Sequence, residues 1–333
     1  MSLMAAEAAE AAQSVARFLD FNGRALAELG DRLRGASPPV VLTCARGSSD
    51  NAAAYFKYLC EIMTGVPCAS VGASVVSVYG GRLKAEGALC LTISQSGQSP
   101  DIVALQRSAK QAGALTVALV NVEDSPAARN ADICLALHAG EEKSVAATKS
   151  FIVSCAAAAA IVAQWSGDAA LLAAVERLPR SLDAAVRIAW PGFTSFARDA
   201  VSLFVLGRGP AYPIAQETAL KLKETCAIHA EAYSVAEVMH GPWELMGADF
   251  PVLIYAPDDA ARANTREAAA RMRGTGADVK VVGEALPFAA TGHPLLDPIS
   301  MIATAYLQIE RVAVTLGRDP DRPRLLKKVT ETL

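Results

Sequence analysis

Residues 40–61 read VVLTCARGSSDNAAAYFKYLCE, and residues 202–224 read SLFVLGRGPAYPIAQETALKLKE. Each stretch opens with a short, largely apolar run, β-branched in the first (VVLTC), turns at a glycine (Gly47, Gly209), and continues with apolar residues at helical spacing. The two glycines lie 162 positions apart. At the same spacing LCLTIS (89–94) falls on PVLIYA (251–256), and at 160 SVVSVYGG (74–81) falls on SVAEVMHG (234–241). Three blocks in near-constant register point to a tandem duplication of one α/β domain. The apolar runs are continuous rather than alternating, which marks strands buried on both faces, so each copy is expected to hold a parallel sheet covered by helices.

Working outward, further strands are expected at ALCLTI (88–93), LTVALV (115–120) and ADICLAL (131–137). Helices are expected at about 5–30, 51–65, 100–112 and 148–165. A helical connector broken at Pro179 (166–192) joins the copies.

Composition narrows the function. The 333 residues carry 31 Lys and Arg against 34 Asp and Glu, a net charge of −3, and 52% are hydrophobic. That balance excludes a disordered chain and a polybasic nucleic-acid arm, and 6% aromatics are too few for base-stacking platforms. The seven cysteines are odd in number and lack C-x-x-C spacing, and nearly all sit in apolar runs, as reduced, buried thiols do in a cytoplasmic protein. The start has no basic region ahead of an apolar core, and the longest apolar run, 155–163, is far short of a membrane span. A cytoplasmic protein with neither nucleic-acid nor membrane partners is expected.

The loop SQSGQSPD (94–101) follows a strand and ends on a helix start, with Ser99 as N-cap and Pro100 as first helical residue. Ser94, Ser96 and Ser99 offer hydroxyls, Gln95 an amide, and Gly97 a tight bend: a phosphate cradle at a positive helix end. An ordinary serine-rich turn has the same composition. The anion reading gains from ARGSSDN (45–51), which repeats the layout with Ser48 and Ser49 at a neighbouring strand end. Neither loop forms G-x-x-x-x-G-K-[ST] or G-x-G-x-x-G, so nucleoside triphosphates and dinucleotides are disfavoured against a phosphate on a smaller molecule.

In the second copy Glu217, Lys221 and Glu224 share one helix face, and His240 sits in the turn sequence MHGP. Such a charged face is ordinarily an exposed, salt-bridged surface. The alternative is a proton-transfer toolkit of carboxylate, histidine and lysine beside a carbonyl. His240, Glu231 and Glu237 match no metal-site spacing, and neither metal nor cofactor is expected.

SQSGQSPD, VAATKSF (145–151), ETALKLKE (217–224), IHAEAYSVAEVMHGP (228–242) and PRLLKKVTETL (323–333) together resemble the tandem sugar isomerase (SIS) family. That family includes the isomerase half of glucosamine-6-phosphate synthase and stand-alone aminosugar-phosphate deaminases. The resemblance implies two tandem doubly wound, flavodoxin-like parallel-sheet domains, at 33–172 and 194–324, with a tail or lid at 325–333. It places the sugar phosphate on Ser49, Ser94, Gln95, Ser96 and Ser99, beside Ser48 of the same loop, with Val145 and Ala147 near the sugar. Ala147 stands where the synthase has serine. The resemblance makes Glu224 the enolisation base, His240 the ring-opening group, and Glu217, Lys221 and the tail's Lys328 further site residues. It also implies a homodimer with shared active sites, each histidine loop coming from the partner. The thirty or so residues before the first repeat hold no cysteine, so no glutaminase half is expected. The activity so implied converts glucosamine 6-phosphate and water to fructose 6-phosphate and ammonia. The alternatives are a deaminase or deglycase for galactosamine 6-phosphate or a fructosamine phosphate, or a non-catalytic sugar-phosphate regulator.

Overall fold

The computed structural model describes residues 1–328; the last five residues of the expected lid, 329–333, lie outside the described residues. The chain divides into two compact units. One comprises residues 13–142 and 149–176, the other 1–12, 143–148 and 177–328. The second unit thus takes in the first twelve residues and a six-residue loop, 143–148, from the middle of the sequence.

The expected N-terminal helix is two helices, α1 (Leu3–Ala9) and α2 (Ala11–Ala36). In the first unit β1 (Val41–Cys44), α3 (Ser48–Thr64), β2 (Cys68–Ser70) and α4 (Ser74–Ser77) follow. Then come β3 (Leu89–Ser94), α5 (Pro100–Gln111), β4 (Leu115–Val120), α6 (Pro126–Asn130), β5 (Ile133–Ala136) and α7 (Lys149–Ser166). All pairings are parallel, in the order β2-β1-β3-β4-β5. The alanine run 156–160 lets α7 pack closely against α3. Among the described residues α7 is the one helix long and apolar enough to cross a membrane, and 89% of it is buried inside the protein.

The chain passes into the second unit within α8 (Ala169–Ala185), which runs through Pro179 as one helix rather than breaking there. Next are α9 (Phe193–Arg198), β6 (Ser202–Gly207), α10 (Ala211–Lys221) and β7 (His229–Ser234). The unit closes with β8 (Pro251–Tyr255), α11 (Arg262–Gly274), β9 (Asp278–Val282) and α12 (Asp297–Thr315). Its parallel order, β7-β6-β8-β9, is that of the first sheet without the last strand. Phe204, Leu206, Val252, Ile254 and Val281 of this sheet pack with Met272 of α11 in one apolar core. The duplication extends to backbone conformation: Gly47 and Gly209, aligned by sequence, have φ of 55° and 58°. In each sheet the strand order reverses at the pair that carries the quoted stretches, β1/β3 and β6/β8. Open α/β sheets leave a crevice for ligands at such a reversal, outside the carboxyl ends of the strands.

Candidate functional site

In the first unit Cys44 pairs with Thr92, so the loops after β1 and β3 emerge side by side at the strand-order reversal. Ser48 and Ser49 form the first turn of α3; Ser94 ends β3, Gln95 and Ser96 lie in its loop, and Ser99 is the N-cap residue of α5. Two helix N-termini therefore face the same crevice, each with the partial positive charge of a helix start. The Ser99 side chain makes no capping bond, contrary to the sequence expectation. Ser94 Oγ accepts from the Gly97 N–H at 3.0 Å and Ser96 Oγ from the Gln98 N–H at 3.3 Å. Each hydroxyl is thereby oriented by the backbone and keeps its own proton to donate.

Gly97 is required here. Its φ is 63°, and a Cβ would fall 2.2 Å from Ser125 Oγ. An ion pair between Arg46 and the buried Asp101 ties the β1 loop to the first turn of α5, leaving the arginine side chain 43% exposed. No sequence motif marked that pair. Burial raises the carboxyl pKa of Asp50, in the first turn of α3, above its ordinary value. Ser96→Ala is expected to raise KM for a sugar phosphate about tenfold, the scale of a lost charge-assisted hydrogen bond, and to leave an unphosphorylated analogue little affected. Equal losses on both substrates would remove the phosphate from this loop.

The second unit holds the acid–base groups. Glu217 and Lys221 lie on α10, which passes directly into a single π-helical turn, Leu222–Cys226, carrying Glu224. The face is not an exposed salt-bridged surface: the side chains of Glu217 and Lys221 are 0% and 1% exposed and that of Glu224 is 22% exposed. Lys221 Nζ lies 3.4 Å from Glu217 Oε1 and donates to Glu224 Oε2. Tyr306 of α12 donates its hydroxyl to Glu217 Oε1 at 3.0 Å. Burial alone would lower the Lys221 pKa, but Glu217 and Glu224 outweigh it and hold the ammonium above its ordinary value. Glu224 lines a cavity of about 620 Å³, whose other wall is formed by Gly317–Asp319 and Arg322–Leu326. A π turn inserted in an α-helix is often found at a functional site.

The remaining expected residues are placed as follows. His240 ends a 3-10 turn (Glu237–His240), is exposed, and does not line the cavity that Glu224 opens on. Val145 and Ala147 lie in the 143–148 loop, and Lys328 Nζ donates to the Ser144 carbonyl of that loop at 2.7 Å. Glu231 lies on β7 and Glu237 is exposed. Among the described residues no group of three His, Cys, Asp or Glu side chains is placed to hold a metal ion.

Two duplicated parallel sheets, each with its reversal at the loop-bearing strands, agree with the match of the SIS domain family to residues 37–164 and again to 197–282. The chain belongs to the SIS-domain family. It is 36% identical over 304 residues to the isomerizing glutamine–fructose-6-phosphate aminotransferase of Halobacterium salinarum, covering 85% of this chain and 50% of that protein. The Pseudomonas aeruginosa protein of the same name is 35% identical over 333 residues, at 92% and 53% coverage. The chain thus spans about half the length of the curated relatives it matches. Among solved structures, a candidate phosphosugar isomerase from Silicibacter pomeroyi DSS-3 superposes with a TM-score of 0.93 at 44% identity, covering 96% of this chain and 100% of that one. The C-terminal domain of glucosamine-fructose-6-phosphate aminotransferase from Francisella tularensis gives 0.86 at 26% identity, with 97% and 98% covered. In this SIS protein the serine loops map to the strand-order reversal at β1/β3, and the charged residues to the last turns of α10 and the π turn that follows it.

Proposed function

We propose that this SIS protein is an aldose–ketose isomerase that deaminates an amino-sugar phosphate, converting glucosamine 6-phosphate and water to fructose 6-phosphate and ammonia. The observation that carries the reading is the buried Glu217–Lys221–Glu224 triad, whose outer carboxylate opens on a cavity. Burying the Glu217 and Lys221 charges is expensive, and a protein that only bound sugar phosphate would gain nothing from it. Lys221 stays charged and fixes the Glu224 carboxylate. Glu224 then removes the proton from carbon 2 of the open-chain sugar and returns one to carbon 1 through an enolamine. The resulting ketose imine is hydrolysed by water, which releases ammonia. Binding energy from the substrate's phosphate, remote from the reacting carbons, orients them. The family relationship to isomerizing aminotransferases and to a candidate phosphosugar isomerase supports this assignment.

The test is ammonia release across glucosamine 6-phosphate, galactosamine 6-phosphate and fructosamine phosphates. Glucosamine 6-phosphate should give the highest kcat/KM; release only from another member would reassign the substrate, and none from any would sink the reading.

In this proposal His240 assists ring opening in the site of a second copy, which accords with its exposed position away from the Glu224 cavity. Mixing inactive Glu224→Gln and His240→Ala subunits should restore up to about a quarter of wild-type activity, because half the random dimers are mixed and each holds one intact site of two. Mixed dimers, verified by mass spectrometry, with no recovered activity would place both residues in one subunit's site.

A further inference from the structure

The 143–148 loop is held by both ends of the chain. The N–H groups of Lys143 and Ser144 donate to the Glu7 carboxylate on α1, Ser144 reaching its two oxygens at 3.3 and 3.2 Å. The Ser144 carbonyl accepts from Lys328, and the Val145 N–H donates to the Asp321 carbonyl at 3.1 Å. Asp321 also caps α1, its carboxylate accepting from the Leu3 and Met4 N–H groups at 2.8 and 2.7 Å. Those amides belong to the first helical turn and lack intrahelical acceptors. Ser2, the N-cap residue of the same helix, donates its hydroxyl to Glu310 of α12 at 2.7 Å.

Glu7 is 5% exposed, beside the buried Met4, Ala5 and Ala8 of the same helix. A helix that only packed would carry an apolar residue there. A buried carboxylate is tolerated when charge-assisted hydrogen bonds replace its water, and here they come from the loop backbone. The same helix therefore grips the loop through Glu7 and the tail through Asp321.

We propose that α1 is a latch that positions the 143–148 loop for substrate, with Glu7 and Asp321 as its positioning residues. The inference rests on the proposed function together with the family resemblance, which implies that Val145 and Ala147 lie near the sugar. Loosening the latch raises KM and leaves the proton-transfer step at Glu224 intact, so kcat holds.

The test uses the full chain and three variants. Glu7→Ala removes both acceptor oxygens, Glu7→Gln keeps one, and Asp321→Ala releases α1 from its other end while its backbone carbonyl remains. Hydrogen–deuterium exchange across residues 143–145 should quicken about tenfold in Glu7→Ala and less in Glu7→Gln, as expected for local opening after loss of strong hydrogen bonds. KM for glucosamine 6-phosphate should rise in the same graded order, with kcat within about twofold of wild type. Asp321→Ala should move exchange and KM the same way, and it decides the matter if Glu7→Ala does not fold. Unchanged exchange, faster exchange with unchanged KM, or a fall in kcat alone would overturn the proposal. A wild-type protein inactive on every amino-sugar phosphate would fail the functional assignment, and the exchange readout would then still decide whether α1 holds the loop.

Discussion

Glu224→Gln is expected to lower turnover by about two orders of magnitude or more while KM changes little. The amide keeps the shape of the side chain and can still accept from Lys221, which donates to Glu224 Oε2 in the native protein. It cannot accept a proton from carbon. The carboxylate is the one member of the triad that reaches the cavity, so neither Glu217 nor Lys221 can take its place without moving the helix. Steady-state kinetics of the variant beside wild type decide the point. Turnover within a few-fold of wild type would take Glu224 out of the mechanism.

Lys221→Met is expected to destabilise the fold by about 3–5 kcal/mol, because it leaves the fully buried Glu217 carboxylate facing that of Glu224 with no cation between them. The apolar replacement fills the space, so packing loss contributes little. For a unit of this size the melting temperature should fall by about 10 °C. The pH dependence carries a sign. In wild type the Lys221 pKa is held above its ordinary value, so its contribution is fully present below the unfolded pKa and is lost only as pH rises through the folded one. In the variant a carboxyl forced toward its protonated form has a raised folded pKa, so its deficit should shrink as pH falls from 8 toward 5. Thermal melts across that range check both statements. A variant as stable as wild type at pH 8 would mean that the triad is not a coupled charge network.

Much of this was legible in the sequence because it depends on local pattern. Continuous apolar runs announced β1, β3, β4 and β6, and the repeat spacing announced the second sheet. The serine loops could be placed at strand ends because each lies between an apolar run and a helix start. What escaped has a common cause. β2 is a three-residue edge strand with one buried side chain, too short to show periodicity. β7 has one buried position in six, so its sequence has the polarity of a loop. The charged face of α10 was ambiguous because i, i+4, i+7 spacing is the same for a surface ladder and a buried triad. Only α12, which brings Tyr306 to Glu217 from 89 residues away, decides between them. Glu7 carried no signal either, since its partners at 143 and 144 are more than 130 residues distant and are backbone amides. Long-range polar contacts to the backbone leave no mark on side-chain pattern.

Glucosamine 6-phosphate deuterated at carbon 2 offers the most direct test of the central claim, that ammonia is lost through an aldose-to-ketose shift driven by proton transfer. The reaction is followed by NMR together with an ammonia assay. Fructose 6-phosphate and ammonia should appear in equal amounts, with the deuterium gone from carbon 2 and divided between carbon 1 of the product and the solvent. A phosphorylated sugar that has lost its nitrogen but keeps deuterium at carbon 2, or substrate returned unchanged, would contradict the account.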